Sequence, residues 1–287
     1  MKVYLPQKIG FCFGVRKAIT MVEEELKKKS GEVYCLGDLI HNPGVMDELS
    51  RKGLKVIPNF AQIKSGTVFT RAHGVDHAIL EKGNKRGLRM IETTCPYVLR
   101  GQKIARNLAA QSYHIVIIGS AKHPEVMAMV SNTPTEKLSV VKIAEEIKKI
   151  PLAEKIGVVV QTTESLDNFK NIVKNLINLI ENRLEIRIFN TICEVVRERQ
   201  KEARQLAKKV EAMVVVGGYH SSNTQQLAKL CKSTGVRTYL VEREQGIDLE
   251  EIKKLNTVGI TGGTSTPEKM IRDLKERLLN KLIMNFN

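Results

Sequence analysis

The apolar residues of this chain follow a pattern that occurs three times. In each repeat, a short apolar run is followed by a stretch with a 3.6-residue hydrophobic period. The first apolar run of the three repeats lies at residues 2–6, 88–91 and 185–189, respectively. The second apolar run lies at residues 32–37, 114–119 and 212–217. Two more short runs follow, after a second and shorter helical stretch. Runs rich in Val and Ile predict strands, and the periodic stretches predict helices.

The long helical stretches each carry one apolar face. In the first repeat this face holds Val15, Ala18, Ile19, Val22 and Leu26. Strands that alternate with helices and have nearly continuous apolar cores indicate parallel sheets with helices on both sides. The sequence therefore predicts the α/β class, with three pseudo-threefold-related repeats and mostly parallel sheets. We place the three α/β units at 1–95, 96–193 and 194–287.

A polar group directly follows the strand that ends at Gly37, Gly119 or Gly217. The last strand of each repeat also ends in a polar loop. Ligands of parallel α/β sheets bind beyond the carboxyl ends of the strands. Three units that turn this edge inward would form a trefoil around one central cavity.

A cysteine comes after the first strand of each repeat, namely Cys12, Cys95 or Cys193. The strand-end glycine follows it after 25, 24 and 24 residues. Each cysteine opens a predicted helix, where the helix dipole stabilises the thiolate that binds metals. Zinc usually takes closely spaced cysteine pairs, so this spacing favours an iron–sulfur cluster with one iron that no cysteine ligates. The alternative is a repeat of small buried residues, as we expect for Cys35 and Cys231.

Histidines His41, His73 and His123 occupy strand-end loops, where imidazolium groups can pair with phosphate. A structural or solvated role is the alternative. Other polar residues of these loops could bind phosphate or only cap a helix, and they are Thr162, Ser221, Ser222, Asn223 and Ser265. Glu125 lies in the first turn of a predicted helix. It could interact only with the helix dipole, or deliver a proton beside a metal.

Charge and composition narrow the function classes. The 287 residues carry a net charge of +15, which is typical of a solvated basic surface or, alternatively, of a protein with anionic partners. Aromatic residues are 5% and Trp is absent, which argues against a stacking platform for nucleic acid. The chain has no apolar run of roughly 18 residues, as a membrane span requires. Five cysteines suggest thiol or metal chemistry in a reducing compartment. With a strand predicted from residue 2 and no room for a targeting peptide, we expect a cytoplasmic protein.

Taken together, the ordered motifs closely resemble those of one family, the 4-hydroxy-3-methylbut-2-enyl diphosphate reductases (LytB or IspH family). The motifs are Gly10-Phe11-Cys12-Phe13-Gly14-Val15, His41-Asn42, Ala72-His73-Gly74-Val75, Thr93-Thr94-Cys95-Pro96, His123-Pro124-Glu125-Val126, Gln161-Thr162-Thr163, Ser221-Ser222-Asn223 and Thr264-Ser265. One difference is Tyr219-His220, since the family usually has asparagine directly before the serines.

The resemblance implies a trefoil of α/β units around a 4Fe–4S cluster held by Cys12, Cys95 and Cys193. It implies reductive removal of the substrate's allylic hydroxyl, which gives isopentenyl and dimethylallyl diphosphate in the last step of the methylerythritol phosphate pathway. The residues expected to hold the diphosphate are His41, His73, Ser221, Ser222, Asn223 and Ser265. His123 would contact the substrate, Thr162 would lie at its hydroxyl end, and Glu125 would supply a proton.

A ferredoxin- or flavodoxin-type protein is the expected electron donor. We expect no nucleic-acid or membrane partner, and a monomer or weak dimer. Two rival hypotheses are a quinolinate-synthase-like dehydrating lyase, which needs no external electrons, and a basic iron–sulfur protein that binds nucleic acid. The motifs around Glu125 and Thr162 favour the reductase.

Overall fold

A computed structural model describes residues 1–151, 153–178, 185–242, 251–252 and 254–280. The chain divides into two compact units. The terminal unit contains Met1–Arg16, His41–Glu48 and Glu194–Asn287. The central unit contains Lys17–Ile40 and Leu49–Cys193.

Helices separate most of the consecutive strands along the described residues, although β4 follows β3 directly. The strands are β1 Lys2–Tyr4, β2 Val33–Leu36, β3 Leu54–Ile57, β4 Thr67–Phe69, β5 Arg89–Ile91, β6 His114–Ile118, β7 Leu138–Val141, β8 Lys155–Val160, β9 Glu185–Ile188, β10 Ala212–Val216, β11 Arg237–Val241 and β12 Thr257–Gly262. The α-helices are α1 Phe13–Lys28, α2 Pro43–Arg51, α3 His77–Lys85, α4 Pro96–Ala110, α5 Pro124–Ser131, α6 Leu166–Asn178, α7 Glu194–Ala207, α8 Ser222–Lys232 and α9 Glu268–Asn280, and a 3₁₀ helix spans Ala144–Lys149.

Three four-stranded parallel sheets share one strand order. The central unit contains β3-β2-β4-β5 and β7-β6-β8-β9, and the terminal unit contains β11-β10-β12-β1. The strand before each cysteine is thus the last strand of the preceding sheet, and β1 completes the terminal sheet beside β12. The predicted α/β class and parallel sheets are confirmed. The domain boundaries at 95/96 and 193/194 stay a prediction, with β1 pairing outside the first predicted unit.

Both faces of the terminal sheet are buried, as the continuous apolar run of β10 predicts. Val214 and Val216 pack with Ile271 of α9 on one face. Met213 and Val215 pack on the other face with apolar residues of α7 and α8. Because side chains alternate along a strand, a strand covered on both sides needs apolar residues at every position.

Glycines in two equivalent strands allow a helix to approach the sheet closely. A Cβ atom at Gly157 in β8 would lie 2.8 Å from Leu108 of α4. A Cβ atom at Gly259 in β12 would lie 2.9 Å from Leu206 of α7. Since α4 and α7 are the helices that follow Cys95 and Cys193, this close packing fixes the two helices against their sheets.

The six strand runs predicted above agree with β1, β2, β5, β6, β9 and β10 to within two residues at each end. Helices α3, α6 and α9 were not predicted, because the repeat ended at the last polar loop. The buried stripe Phe169, Ile172 and Leu176 of α6 was a readable signal. Across the ranges given above, no helix combines the length and apolarity that a membrane span requires.

Candidate active site

Three cysteines occupy equivalent positions at the carboxyl edges of the sheets. The backbone N–H of Cys12 donates to the Thr264 carbonyl at 3.1 Å. Those of Cys95 and Cys193 donate to the carbonyls of Ala72 and Thr162, each at 3.0 Å. Each acceptor lies in the polar loop that follows β12, β4 or β8. The repeat seen in the sequence is therefore also a repeat of backbone hydrogen bonding.

Each of the three cysteines directly precedes a helix. Helix α1 begins at Phe13, α4 at Pro96 and α7 at Glu194. The backbone N–H of Val15 points at Cys12 Sγ, 3.4 Å away. None of the five cysteines, all of them described, forms a disulfide, and Cys12, Cys95 and Cys193 are half-buried. Half-buried thiols at helix N-termini suit thiolate ligands of a metal.

The other two cysteines have different surroundings. Cys35 and Cys231 are fully buried. Burial raises the pKa of each thiol to about 12, so both stay protonated at neutral pH. Cys231 packs among apolar residues of the α7–α8 layer. The prediction that these two are buried apolar thiols is confirmed.

Glu125 and Thr162 form a buried pair within the central unit. Glu125 lies in the first turn of α5 and is 1% exposed, and Thr162 follows the end of β8. One carboxylate oxygen accepts a hydrogen bond from the Thr162 backbone N–H, and the other accepts from its hydroxyl, each at 2.7 Å. Thr162 thus orients both oxygens of the carboxylate. Since Thr162 also accepts from the Cys193 N–H, a chain of contacts joins Glu125 to a cysteine.

Burial raises the pKa of Glu125 to about 7, although both hydrogen bonds from Thr162 oppose the shift. A carboxyl group with a pKa near neutrality is suited to give up a proton at physiological pH. This property separates Glu125 from Glu25, a carboxylate that is also buried. Lys28, Thr67 and Arg89 surround Glu25 and lower its pKa.

The Glu125 pKa predicts a pH dependence of stability. The folded protein holds this proton up to about pH 7, whereas a solvated Glu carboxyl has a pKa of 4.5. The stabilisation is fully present below pH 4.5 and is lost as the pH rises through 7, which amounts to about 3 kcal/mol in the free energy of unfolding. Denaturant titrations at about pH 5 and about pH 8 should show most of this loss in the wild type and not in Glu125→Gln. Equal losses in both proteins would contradict the assignment.

Two histidines lie close together in the central unit. The rings of His73 and His123 pack edge to face with centroids 5.6 Å apart. His123 caps α5, and its Nδ1 accepts from the Glu125 backbone N–H at 3.2 Å. An accepting Nδ1 places the proton of the neutral ring on Nε2. The structure thus brings together four of the predicted residues, His73, His123, Glu125 and Thr162.

The terminal unit holds most of the other predicted residues. Ser221 caps α8, and its hydroxyl accepts from the Thr224 N–H at 3.4 Å. Asn223 is 1% exposed, and neither atom of its amide has a hydrogen-bond partner within the described part of the protein. A buried amide left without partners costs about 1–3 kcal/mol. Such a residue indicates a bound group that would complete its hydrogen bonds.

Ser265 and His41 meet in the same unit. The Ser265 hydroxyl donates to the His41 carbonyl at 3.2 Å. The Asn42 side chain donates to the Ser265 carbonyl at 2.9 Å. These contacts join the loop after β12 to the segment that begins α2. Ser222 is half-buried next to Ser221 at the start of α8.

The chain matches the family model "LytB protein" over residues 3–279. This match covers nearly all of its length. The chain belongs to the LytB family. The resemblance inferred from the motifs is therefore confirmed.

Individual members of the LytB family align over almost the whole chain. The 4-hydroxy-3-methylbut-2-enyl diphosphate reductase of Geobacter metallireducens is 40% identical over 278 residues, which cover 97% of each chain. A solved reductase of Plasmodium falciparum superposes with a TM-score of 0.90 and 28% identity over 96% of this chain and 87% of its own. A second solved reductase is described as the terminal enzyme of the non-mevalonate pathway. It superposes with a TM-score of 0.71 and 33% identity, over 97% of this chain and 99% of its own.

One LytB motif differs in this chain at Tyr219-His220. Both residues are exposed. The Tyr219 backbone N–H donates to the Glu242 carboxylate at 2.8 Å, and its carbonyl accepts from the Gln225 side chain at 2.6 Å. Tyr219 is therefore held by its backbone, and both substituted residues are exposed, whereas Ser221 and Asn223 are buried.

Arg199 is a buried residue next to the motif loops that the sequence did not predict. Arg199 on α7 is 3% exposed and donates to backbone carbonyls of the loops that flank Cys12 and Ser265. Its helix is rich in Lys, Arg and Glu, which is typical of a solvated surface. The only available signal was the position of Arg199 on the same helical face as Val196 and Ala203.

Proposed function

We propose that this protein is a 4-hydroxy-3-methylbut-2-enyl diphosphate reductase that depends on a 4Fe–4S cluster. The observation that carries the proposal is the buried Glu125–Thr162 pair, which lies one hydrogen bond from Cys193 in a LytB family chain. In the reaction, two electrons and two protons replace the allylic C–O bond with a C–H bond and release the hydroxyl oxygen as water, while the diphosphate is kept. The products would be isopentenyl and dimethylallyl diphosphate.

Cys12, Cys95 and Cys193 would hold the cluster. They fit this role because the three have matching backbone hydrogen bonds and helix positions, whereas Cys35 and Cys231 are buried in apolar layers. When bound, a cluster with one iron that lacks a cysteine would supply a Lewis acid for the hydroxyl oxygen and low-potential electrons.

Glu125 would supply a proton to the reaction. Its carboxyl is held in place by Thr162 and carries a proton up to about pH 7. Thr162 would lie at the hydroxyl end of the substrate, and His123 would contact the substrate beside it. Because these groups are buried, water is kept from the reacting atoms, which strengthens each hydrogen bond to the substrate.

The diphosphate needs several donors, since its charge is costly to bury without partners. We assign its binding to His41, His73, Ser221, Ser222, Asn223 and Ser265. Asn223 gives the clearest support, because its buried amide has no partner among the described residues. The start of α8 adds backbone N–H groups and the positive end of a helix dipole.

An anaerobic assay tests the proposal. The protein is reconstituted with iron and sulfide and reduced with methyl viologen, and viologen oxidation is followed after hydroxymethylbutenyl diphosphate is added. We expect substrate-dependent oxidation and both five-carbon diphosphates. If a protein with a verified cluster gives no oxidation, the reductase is rejected and the dehydrating lyase becomes the better hypothesis.

The electron donor would be an acidic ferredoxin or flavodoxin, since the protein carries a net charge of +15. We propose a cytoplasmic location, where thiols stay reduced.

The rate of electron transfer from an acidic donor protein should fall as ionic strength rises, because salt at 0.1 M screens the attraction between charges more than about 10 Å apart. Stopped-flow mixing at several salt concentrations measures this, with cationic methyl viologen as the control. A flat dependence would reject electrostatic docking.

A further inference from the structure

Arg199 joins two loops of the terminal unit through hydrogen bonds from its guanidinium group. Its Nη1 donates to the carbonyls of Gly262 and Gly263, each at 3.0 Å. Its Nη2 donates to the carbonyl of Gly10. The side chain belongs to the second turn of α7 and is 3% exposed. One guanidinium group therefore holds the end of β12 and the turn that follows β1.

Both loops continue directly into residues of the candidate site. Gly10 lies two residues before Cys12, and Gly263 lies two residues before Ser265. The Cys12 N–H closes the arrangement with its hydrogen bond to the Thr264 carbonyl at 3.1 Å. The position of Cys12 relative to Ser265 thus depends on the contacts that Arg199 makes.

Gly10 shows that this turn leaves little freedom. Its φ of +81° lies in the left-handed region, and a Cβ atom there would lie 2.9 Å from the Cβ of Glu268. A turn with this shape presents its carbonyl toward Arg199. A planar guanidinium with five donors can serve several carbonyls at once, which the ammonium group of lysine cannot do in the same geometry.

The buried guanidinium also places a positive charge behind the two loops. A charge in a buried environment is weakly screened, so it acts on neighbouring anionic groups. A metal-bound thiolate at Cys12 and a diphosphate near Ser265 are both anionic. Arg199 can therefore set both the geometry of the two loops and the electrostatic potential at Cys12 and Ser265.

We propose that Arg199 is a positioning residue that couples the cysteine loop to the diphosphate loop. This inference rests on the proposed function, since it assigns Cys12 to the cluster and Ser265 to the diphosphate. The coupling makes two separate predictions. Loss of the planar guanidinium group, with its several donors, weakens diphosphate binding. Loss of the positive charge lowers the reduction potential of the cluster.

Two variants separate these effects. Arg199→Lys keeps the positive charge and loses the planar guanidinium group, and Arg199→Met loses both. Arg197→Met on the exposed face of the same helix is the matched control. Calorimetry measures the affinity for inorganic diphosphate, a redox titration measures the potential of the reconstituted cluster, and thermal melting reports stability.

We expect Arg199→Lys and Arg199→Met to weaken diphosphate binding about tenfold. Only Arg199→Met should shift the cluster potential to more negative values, and Arg197→Met should match the wild type in both measurements. If the Arg199 variants lose only melting temperature and keep wild-type affinity and potential, the residue is merely structural and the proposal is overturned. If the wild type itself binds neither diphosphate nor a cluster, the proposed function fails together with this inference.

Discussion

Replacing Glu125 with glutamine should reduce turnover by about 10²–10⁴-fold and leave iron content and diphosphate affinity unchanged. The amide oxygen of glutamine can still accept a hydrogen bond from Thr162, so the pocket keeps its shape. What disappears is the carboxyl proton, which the wild-type group holds up to about pH 7. Steady-state viologen oxidation at saturating substrate measures the effect.

Glu25→Gln is the matched control for this experiment. Glu25 is also a buried carboxylate of the central unit, but it accepts from Lys28, Thr67 and Arg89. The variant should therefore lose stability and keep its turnover. Near-normal turnover in Glu125→Gln would reject Glu125 as the proton source, whereas equal losses in both variants would point to a general effect of buried charge.

Replacing Cys12 with serine should abolish stable cluster assembly, with iron falling far below the roughly four atoms per chain of a 4Fe–4S centre. A serine hydroxyl is not deprotonated near neutral pH and is a poor ligand for iron. The backbone contact of residue 12 with Thr264 does not involve the side chain, so the protein should fold. Iron and sulfide assays and the visible absorption spectrum after anaerobic reconstitution measure the outcome.

Cys231→Ala supplies the comparison for the cysteine experiment. Its thiol is fully buried in the α7–α8 layer, where burial raises the pKa to about 12. This variant should lose some stability, because the removed sulfur leaves a small cavity, and it should bind as much iron as the wild type. Full iron content in Cys12→Ser would remove Cys12 from the proposed cluster site.

The sequence predicted those parts of the fold that depend on local patterns. Apolar runs located the strands, and the cysteine spacing located three equivalent helix starts. The pairing of β1 with β12 joins Lys2 to Thr257, and no local pattern reports a contact over that separation. The helices after the last polar loops were missed, although the stripe of α6 was visible.

In the candidate site, too, local sequence patterns were predictable and contacts between distant residues were not. The motifs predicted Glu125 and Thr162 as site residues, but the pKa of Glu125 depends on how deeply α5 and the β8 loop bury it. Arg199 escaped notice because its role comes from three carbonyls that lie far away in sequence. Charge and spacing can be read along a chain, whereas burial and hydrogen-bond partners arise only after the chain has folded.

The position of β1 in the terminal sheet has a consequence for synthesis on the ribosome. Strand β1 emerges first, but its neighbour β12 is made about 250 residues later, so β1 must wait for most of translation to pair. The Cys12 N–H finds its acceptor at Thr264 only after that step. The two sheets of the central unit can form earlier, because their strands are close in sequence. The Cys12 loop therefore takes its final position only after residues of both units have been synthesised.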